Sequence, residues 1–290
     1  MNVSIIIVNY NTKTLLKQCL KSVFDNTTDI SFEVIVVDNS STDGSQQMIK
    51  DEFQNVILIE SSENIGFGRA NNLGAKAAKG KYLMLLNSDT VLVNNAIKIL
   101  FDFIDKNPAA GICGGNLFDE NKKPIHSYSK MPGIMQEIKR LLFIPDTDYF
   151  NCTNKPKKVG YVTGADLMIR SDIFNQLNGF DSDFFMYYEE SELTYRVKKE
   201  GYKVYSVPQA EIIHLEKKSF SDNNNRLGMI FRSCQTYYKK THSRLYRIIT
   251  NTILLTTIIS RLIIFSFTKD TKKKNCWKSI LKIHINKKLK

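Results

Sequence analysis

Four apolar runs, separated by helical patterns, constrain the fold of this chain more than any other feature. They occupy residues 3–11 (VSIIIVNYN), 32–38 (FEVIVVD), 55–61 (NVILIES) and 81–89 (KYLMLLNSD). Continuous β-branched and aliphatic residues are typical of strands that are buried on both faces, as in a parallel sheet. Strands that alternate with helices predict an α/β fold in which helices cover both faces of the sheet.

The remaining segments complete this prediction. Residues 119–158 are polar, contain four prolines and predict a long loop region. A further strand is expected within 161–170, and a last pair of strands is expected to end near His214. Helices are predicted at 12–25, 45–53, 66–80, 94–106, from about 171, and at 190–200.

Polar residues stand where three of the predicted strands end. They are Asn9 to Asn11, Asp38, and the group from Asn87 to Asp89 within the stretch LNSDT (86–90). Asn, Ser and Asp are also common turn residues, so a simple turn is the alternative for this stretch. Because ligands of such sheets bind beyond the carboxyl ends of the strands, we expect these residues to gather in one crevice.

A dinucleotide-binding fold is one alternative, since an acid such as Asp38 ends the second strand there too. That fold requires G-x-G-x-x-G after the first strand, and residues 8–15 (VNYNTKTL) contain no glycine. The dinucleotide interpretation is therefore rejected. Asp38 alone is also compatible with a cap at the strand end.

Charge divides the chain into two parts. Residues 1–216 contain 23 basic and 27 acidic residues, a net charge of −4, whereas residues 217–290 contain 18 basic and two acidic residues, a net charge of +16. This change predicts a boundary near Lys217 between an α/β domain and a basic tail. Basic tails are typical of proteins that bind nucleic acid, anionic membranes or acidic partners.

The five cysteines are scattered and include no C-x-x-C pair. This pattern argues against a disulfide framework and against a zinc site, and it favours a reducing cytoplasm. The apolar N-terminal run lacks the basic segment of an export signal, so no export is predicted.

Several motifs occur together and in a fixed order over residues 3–219. They are SIIIVNYNT, VIVVDNSSTDGS, NIGFGRANNLGAKAAKG, LMLLNSDT, GFDSDFFMYYEESELTYRVKKEGYKV and EIIHLEKKS. Together they resemble family 2 glycosyltransferases, most of all the rhamnosyltransferase-like branch that builds bacterial surface polysaccharides. The resemblance implies a GT-A fold: a mostly parallel sheet flanked by helices, with the nucleotide-sugar site at about 1–115 and the acceptor side at about 116–216. It also implies transfer of a sugar from a nucleoside diphosphate with inversion at the anomeric carbon.

The same resemblance implies a divalent cation, Mg²⁺ or Mn²⁺, at the end of the fourth strand. The family's Asp-x-Asp motif corresponds to Asn87, Ser88 and Asp89 here, so Asp89 is the expected ligand and an amide replaces the first carboxylate. Such a cation stabilises the charge that develops on a leaving diphosphate. His214 is expected to complete the metal shell, and a purely structural histidine is the alternative.

The remaining expected donor-binding residues lie on loops at the same edge. The residues after the first strand would cradle the nucleobase, Asp38 would contact the base or ribose, and the loop before the third helix would lie near the diphosphate. Arg69 on that loop is alternatively an ordinary surface charge. The full donor-binding set is Asn9, Tyr10, Asn11, Asp38, Asn64, Gly66, Arg69, Asn87 and Ser88.

An inverting displacement also needs a base that deprotonates the acceptor hydroxyl. The resemblance places it at the second acid of the pair that follows FFMYY, which is Glu190, with Glu189 before it. Adjacent acids at a helix start also act as simple caps. Glu192 is a weaker candidate, because it fits a solvated helix face.

The basic tail contains an apolar segment at residues 248–268 that nearly matches a bilayer in length. Arg261 argues against a simple span. Thr250, Thr257, Arg261 and Thr268 share one helical face, which favours an amphipathic helix in the membrane plane over a buried core helix. We therefore expect peripheral binding to an anionic membrane at its cytoplasmic face, with a lipid-linked or oligosaccharide acceptor. No nucleic-acid binding is expected, because the aromatic residues form no stacking series.

Two other functions are alternatives. A nucleotidyltransferase would need a glycine-rich basic loop after the first strand, and the sequence has none there. A non-catalytic scaffold with the same fold would not need Asp38, Asp89 and Glu190, all of which are present.

Overall fold

The computed structural model of the chain describes residues 1–215 and 223–286. The strands are β1 Val3–Asn9, β2 Phe32–Asp38, β3 Val56–Glu60, β4 Tyr82–Asn87, β5 Thr90–Leu92, β6 Ala110–Phe118, β7 Tyr128–Ser129, β8 Lys157–Lys158, β9 Tyr161–Val162, β10 Asp166–Arg170 and β11 Lys203–His214. The helices are α1 Lys13–Asn26, α2 Ser45–Glu52, α3 Phe67–Ala77, α4 Ala96–Lys106, α5 Ile134–Leu141, α6 Ser171–Gln176, α7 Glu189–Lys199, α8 Asn223–Thr241, α9 Arg244–Phe267 and α10 Thr271–Asn286.

The central sheet of the described residues has nine strands, in the order β3-β2-β1-β4-β10-β6-β11-β5, with β8 beside β11. The first four strands in this order, β3, β2, β1 and β4, are parallel to one another, as predicted. The strands β10 and β5 run antiparallel to the strands beside them. The strands β7 and β9 form a separate two-stranded sheet. The predicted α/β architecture, a mostly parallel sheet flanked by helices, is therefore confirmed.

The register of three strands brings the predicted site residues to one edge. In the pairing of β1 with β2, Asn9 lies opposite Asp38, and in the pairing of β1 with β4, Val8 lies opposite Asn87. The chain then reverses, and β5 pairs antiparallel with β11 so that His214 lies opposite Thr90. This reversal carries the end of the last strand back to the end of β4.

Two apolar clusters cover the two faces of the sheet. One contains buried residues of α1 and α4, such as Leu16 and Ile97, and the other contains residues of α3 and α7, such as Ala70 and Leu193. A third cluster joins α8, α9 and α10 to Phe184, which lies just before α7. Burial of apolar area is the main stabilising contribution in such layers.

Several elements differ from the sequence prediction. The segment 119–158 contains the helix α5, β5 and β6 were not predicted, and the expected last strand pair is the single strand β11. The glycines of β6 explain why the sequence pattern did not predict this strand, since glycine is uncommon in strand interiors. They are required by close packing, because a Cβ at Gly115 would lie 2.4 Å from the carbonyl oxygen of Ala210.

The tail forms three helices that pack on one another and on the α/β part of the chain. The predicted boundary at 216/217 falls in residues 216–222, outside the described residues. In the described part of the chain, α9 is the one helix long and apolar enough to cross a membrane, judged by length and composition alone.

Candidate active site

Asn9, at the end of β1, connects the ends of β2 and β4. Its Nδ2 donates to Asp38 Oδ2 at 2.7 Å, and its Oδ1 accepts from Thr12 Oγ1 at 2.7 Å. Thr12 Oγ1 also lies 2.8 Å from Ser88 Oγ. The predicted gathering of the first, second and fourth strand ends is thus present, and Thr12 is the residue that links them.

The Asp38 carboxylate holds the loop that follows β2. Besides Asn9, it accepts from the Ser41 amide at 2.8 Å and from Gln46 Nε2 at 2.6 Å, and it is fully buried. The carboxylate therefore has the role of the strand-end cap that the sequence left open. The predicted contact of Asp38 with the base or ribose remains a prediction.

The neighbouring loops present exposed groups at this edge. Tyr10 is about half exposed. Asn11 has a left-handed backbone, with φ of 54°, and its Oδ1 accepts from the Thr42 amide at 2.8 Å. These contacts fix the β1 loop against the β2 loop while leaving the Tyr10 ring open to solvent, as a surface that stacks on a base requires.

Asn64 and Gly66 connect the donor side to the segment before α7. Asn64 Oδ1 accepts from Asn39 Nδ2 at 2.8 Å and from the Gly66 amide at 3.0 Å. Gly66 has a φ of 85°, and a Cβ there would lie 2.4 Å from the carbonyl oxygen of Phe185. Only glycine fits this close approach of two backbones.

Arg69 binds the same segment rather than projecting freely into solvent. Its Nε and Nη2 donate to the carbonyl oxygen of Ser182 at 3.0 and 2.7 Å. One turn later, Asn72 exchanges two hydrogen bonds of 2.8 Å with the backbone of Phe180. Through these bonds α3 positions residues 180–185, and its Arg69 acts first as a clamp on that loop.

The helix α8 holds the loop from the other side. Lys240 bridges Asp181 and Asp183 at 2.6 and 2.7 Å, and Ser233 Oγ donates to the carbonyl oxygen of Met186 at 2.8 Å. The tail therefore supports the approach to α7, a role that its basic composition did not reveal.

Asp89 and His214 form the polar centre of the crevice. Asp89 Oδ1 lies 3.2 Å from His214 Nε2, and both side chains are less than one-tenth exposed. Asn87 Nδ2 lies 3.4 Å from the same imidazole nitrogen. The structure thus places the predicted metal ligands and the substituting amide side by side.

This donor set fits a divalent cation. Two ligands at right angles around an octahedral ion with bonds of about 2.0–2.1 Å are about 3 Å apart, which matches the Asp89–His214 separation. Across residues 1–215 and 223–286, no group of three or more His, Cys, Asp or Glu side chains could hold a metal. A cation held here would therefore need further oxygen ligands, such as phosphate oxygens.

Glu189 and Glu190 begin α7, directly after two residues in the left-handed region. Tyr187 and Tyr188 have φ values of 69° and 67°, a conformation that bulky residues rarely adopt and that is frequent at functional sites. Glu189 is buried towards α3, with its Cβ 3.7 Å from a Cβ built at Gly68. Glu190 is half-buried and accepts from Ser191 Oγ at 3.1 Å.

Burial shifts the protonation of this pair. Removal from water raises the pKa of Glu189 well above its usual value, and the charge of Glu190 raises it further. Burial also raises the pKa of Glu190. Burial therefore favours the protonated form of both carboxyls, and most strongly that of Glu189.

A short loop connects Glu190 to the edge of the sheet that contains Asp89. The Glu190 Cβ lies 3.9 Å from a Cβ built at Gly164, and the next residue, Ala165, accepts from the Asn87 amide at 3.0 Å. The predicted base therefore lies across residues 164–165 from the group that contains Asp89.

The interpretation of Glu192 as part of a solvated helix face is wrong. Glu192 is buried, and both of its oxygens accept from Arg196, at 2.6–3.0 Å. Arg196 also donates to the carbonyl oxygens of Leu177 and Gly179. The ion pair thus holds the turn at residues 177–179 against α7 and is buried there. The spacing of polar and apolar residues along the helix does not reveal such a contact.

The family model described as glycosyl transferase family 2 matches residues 4–177. The chain belongs to this family. Within glycosyltransferase family 2 it resembles rhamnosyltransferases. It is 27% identical over 264 residues to N-acetylglucosaminyl-diphospho-decaprenol L-rhamnosyltransferase of Mycobacterium tuberculosis, covering 84% of this chain and 86% of the relative. It is 26% identical over 250 residues to rhamnosyltransferase WbbL of Escherichia coli, covering 79% and 88%.

Two solved structures with bound nucleotides or nucleotide sugars share the fold. S. aureus TarS 1–349 in complex with UDP-GlcNAc superposes with a TM-score of 0.61 at 17% identity, over 98% of this chain and 81% of that chain. GalNAc-T7 with UDP, GalNAc and Mn²⁺ gives 0.60 at 18% identity, over 82% and 50%. This family 2 glycosyltransferase therefore has the predicted GT-A fold.

Proposed function

We propose that this glycosyltransferase moves a sugar, with rhamnose as the first candidate, from a nucleoside-diphosphate sugar to a lipid-linked glycan of the bacterial surface, with inversion. The observation that carries the proposal is the crevice in which Asp89 and His214 lie beside Asn87, across residues 164–165 from Glu190. The rhamnosyltransferase relatives of M. tuberculosis and E. coli support rhamnose, and the name of the M. tuberculosis enzyme supports a lipid-diphosphate acceptor.

The donor side is built from the strand ends. The exposed Tyr10 ring offers a stacking surface for the base. The Asn64–Gly66 loop, which is fixed by the hydrogen bond from the Gly66 amide to Asn64 Oδ1, would border the diphosphate. Asp89 and His214 would hold Mg²⁺ or Mn²⁺, with Asn87 as a hydrogen-bonding neighbour. When bound, such a cation offsets the negative charge of the leaving diphosphate.

Glu190 serves as the base in this proposal. Its carboxylate accepts the proton of the acceptor hydroxyl while that oxygen forms a bond to the anomeric carbon. The bond from that carbon to the diphosphate oxygen breaks on the opposite face, and the bonding pair leaves with the diphosphate. One displacement of this kind inverts the configuration, and no covalent sugar–enzyme bond is required.

Membrane association is proposed on the orientation of α9. Thr250, Thr257 and Arg261 do share one face, but this polar face is buried against the protein. Arg261 donates to the carbonyl oxygens of Arg140 and Leu141 at the end of α5, which is why the guanidinium turns inward. Thr268 is exposed and lies at the end of the helix.

Because the face of α9 that contains Thr250, Thr257 and Arg261 packs against the protein, many apolar side chains of the helix point outwards. Large exposed apolar surfaces are typical of protein or membrane contacts, and the lysines of α10 add positive charge nearby in sequence. These two features support the proposal of peripheral binding at the cytoplasmic face of an anionic membrane. The exposed large apolar residues of α9 are Leu245, Ile248, Ile249, Ile259, Ile263, Ile264 and Phe267.

The test of the proposed function is a panel of nucleotide sugars with Mn²⁺, scored first by protection against heat unfolding and then by transfer to a lipid-linked acceptor. A donor that raises the unfolding temperature and yields a glycosylated product of inverted configuration supports the proposal. Donor protection without any product on lipid-linked acceptors would argue for a different acceptor class.

A further inference from the structure

A cavity of about 300 Å³ lies between α5, the segment 129–132 and the start of α7. Its size is at the lower end of the range for small-molecule sites. Its walls carry three cationic side chains, Lys130, Lys139 and Arg140. These residues lie within 119–158, where the sequence showed no motif.

The cations outnumber the acids in this cavity. Glu137 is buried and already accepts from Arg140 Nη1 and from Tyr238 Oη, each at 2.9 Å. Asp146 is the second acid of the wall. The Arg140 side chain remains 45% exposed, and its contacts with Glu137 and Tyr188 use two of its five N–H donors. The guanidinium is thus fixed in place and still able to bind an anion.

An exposed apolar surface borders the cationic wall. Leu142, Phe143 and Ile144 follow α5, all three are exposed, and Ile144 lines the cavity itself. The Phe143 ring stacks on the Arg261 guanidinium, with the carbon of that group 3.2 Å from the ring centroid. This contact joins the segment to α9, whose outward face is apolar.

Two tyrosines of the cavity wall neighbour the proposed base. Tyr161 and Tyr188 both line it. Tyr188 directly precedes the Glu189–Glu190 pair, and the charge of Glu190 is among the causes that raise the pKa of the Tyr161 phenol, after burial. The cavity is therefore bordered both by the apolar surface, through Ile144, and by the tyrosines that neighbour Glu190.

We propose that this cavity binds the phosphate groups that join the acceptor sugar to its lipid chain. The apolar chain would lie along Leu142–Ile144 and α9, and the sugar would face Glu190. The inference rests on the proposed function and extends it to the acceptor. The head group of an anionic phospholipid has the same chemistry, and the position of the cavity beside Glu190 favours the acceptor.

Calorimetry on the full chain can test this, with a chelator present so that metal-dependent binding in the donor crevice is suppressed. The probes are farnesyl diphosphate, farnesol and inorganic pyrophosphate. Farnesyl diphosphate is expected to bind at least about tenfold more tightly than farnesol or pyrophosphate, since it alone has both an apolar chain and a diphosphate. Lys130→Ala and Lys139→Ala should each weaken it about tenfold, the scale of a charge-assisted hydrogen bond.

Lys123→Ala is the matched control, because Lys123 is an exposed lysine of the same region outside the cavity wall. It should leave the affinity for farnesyl diphosphate unchanged. In transfer assays, Lys139→Ala should raise the KM for the lipid-linked acceptor about tenfold while the KM for the donor stays within twofold. Equal affinities of the Lys139→Ala and native proteins for farnesyl diphosphate would overturn the proposal.

Two further arms separate the alternatives. Vesicles of phosphatidylglycerol that displace farnesyl diphosphate at equal phosphate concentration would assign the cavity to lipid head groups and overturn the acceptor assignment. Donor binding is measured separately by heat unfolding. If donor binding and transfer are normal, but Lys130→Ala and Lys139→Ala leave the KM for the lipid-linked acceptor unchanged, this inference fails while the proposed function stands.

Discussion

His214 Nε2 lies 3.2 Å from Asp89 Oδ1, although His214 ends β11 and Asp89 lies far away in the sequence, between β4 and β5. The contact exists because the chain reverses at Asp89 and β5 pairs with β11, so that Thr90 lies opposite His214. The backbone continues the link, since the Leu215 amide donates to the Asp89 carbonyl oxygen at 2.9 Å. The proposed metal site therefore depends on two strand ends rather than on one motif.

The first prediction concerns this pair. Asp89→Ala should reduce sugar transfer by several orders of magnitude, because the loss of one electrostatic contribution to a developing charge typically costs several kcal/mol of barrier. His214→Ala should be milder and should raise the Mn²⁺ concentration that gives half-maximal activity. The measurement is the transfer rate over a Mn²⁺ titration, with Asp102→Asn on the surface of α4 as the control. Full activity of the native enzyme in excess chelator would contradict a role for the cation in sugar transfer.

The second prediction concerns stability and pH. Asp166 is fully buried on β10, and burial raises its pKa well above the usual value, although its Oδ2 accepts from the Gly115 amide at 2.6 Å. Since the folded state holds this proton more tightly than the unfolded state, the contribution to stability is present below about pH 4 and is lost as pH rises towards the folded pKa.

Asp166→Asn should therefore unfold at higher denaturant concentration than the native protein at pH 8, and the advantage should shrink at pH 5. Each unit by which the folded pKa exceeds the unfolded pKa adds about 1.4 kcal/mol to the difference in the free energy of unfolding. Urea unfolding at several pH values measures it. Asp25→Asn, which changes an exposed residue of α1, should alter stability equally at pH 5 and pH 8. A variant that is equally destabilised at both pH values would show that the Asp166 carboxyl is not held protonated.

The strand-end part of the site followed from the sequence because it depends on local patterns. Buried runs ending in polar residues place Asn9, Asp38 and Asn87 at one edge once the strands are parallel, and the register confirms this. The approach of His214 to Asp89 was expected only through the family resemblance. It depends on the short strand β5, which has only three residues and no pattern of its own.

The acceptor side could not be derived in the same way. The helix α5 lies in a polar segment with prolines on both sides, and it is stabilised by long-range partners such as Tyr238 and Arg261, which come from the tail. The polar face of α9 was expected to lie at a membrane surface, but Arg261 turns inward and this face packs against the protein. A periodic pattern shows that one face is polar, but it does not show what that face contacts. Such contacts depend on tertiary structure alone.

The third prediction concerns the outward face of α9. Ile263→Glu combined with Phe267→Glu should reduce sedimentation with anionic vesicles by about tenfold or more, because two exposed apolar side chains become charged. Ile57→Glu, at an exposed isoleucine of the edge strand β3, is the control. Binding of the native protein should also weaken with salt, since screening reduces the attraction of the basic tail to anionic lipid. If the double variant sediments like native protein, the membrane contact lies on another surface.

The most direct test of the central claim compares Glu190→Gln with Glu189→Gln in the rate of sugar transfer. Glu190→Gln is expected to keep its donor and cation affinity but to lose about 10²- to 10⁴-fold in rate, the usual scale for removing a general base. Because burial raises the pKa of Glu190, the native rate should rise with pH through a value above 4.5, and this limb should vanish in Glu190→Gln. Glu189→Gln should be the milder variant, since Glu189 is buried towards α3. An active Glu190→Gln beside an inactive Glu189→Gln would contradict the assignment of the base, and full activity of both would contradict a catalytic role for the start of α7.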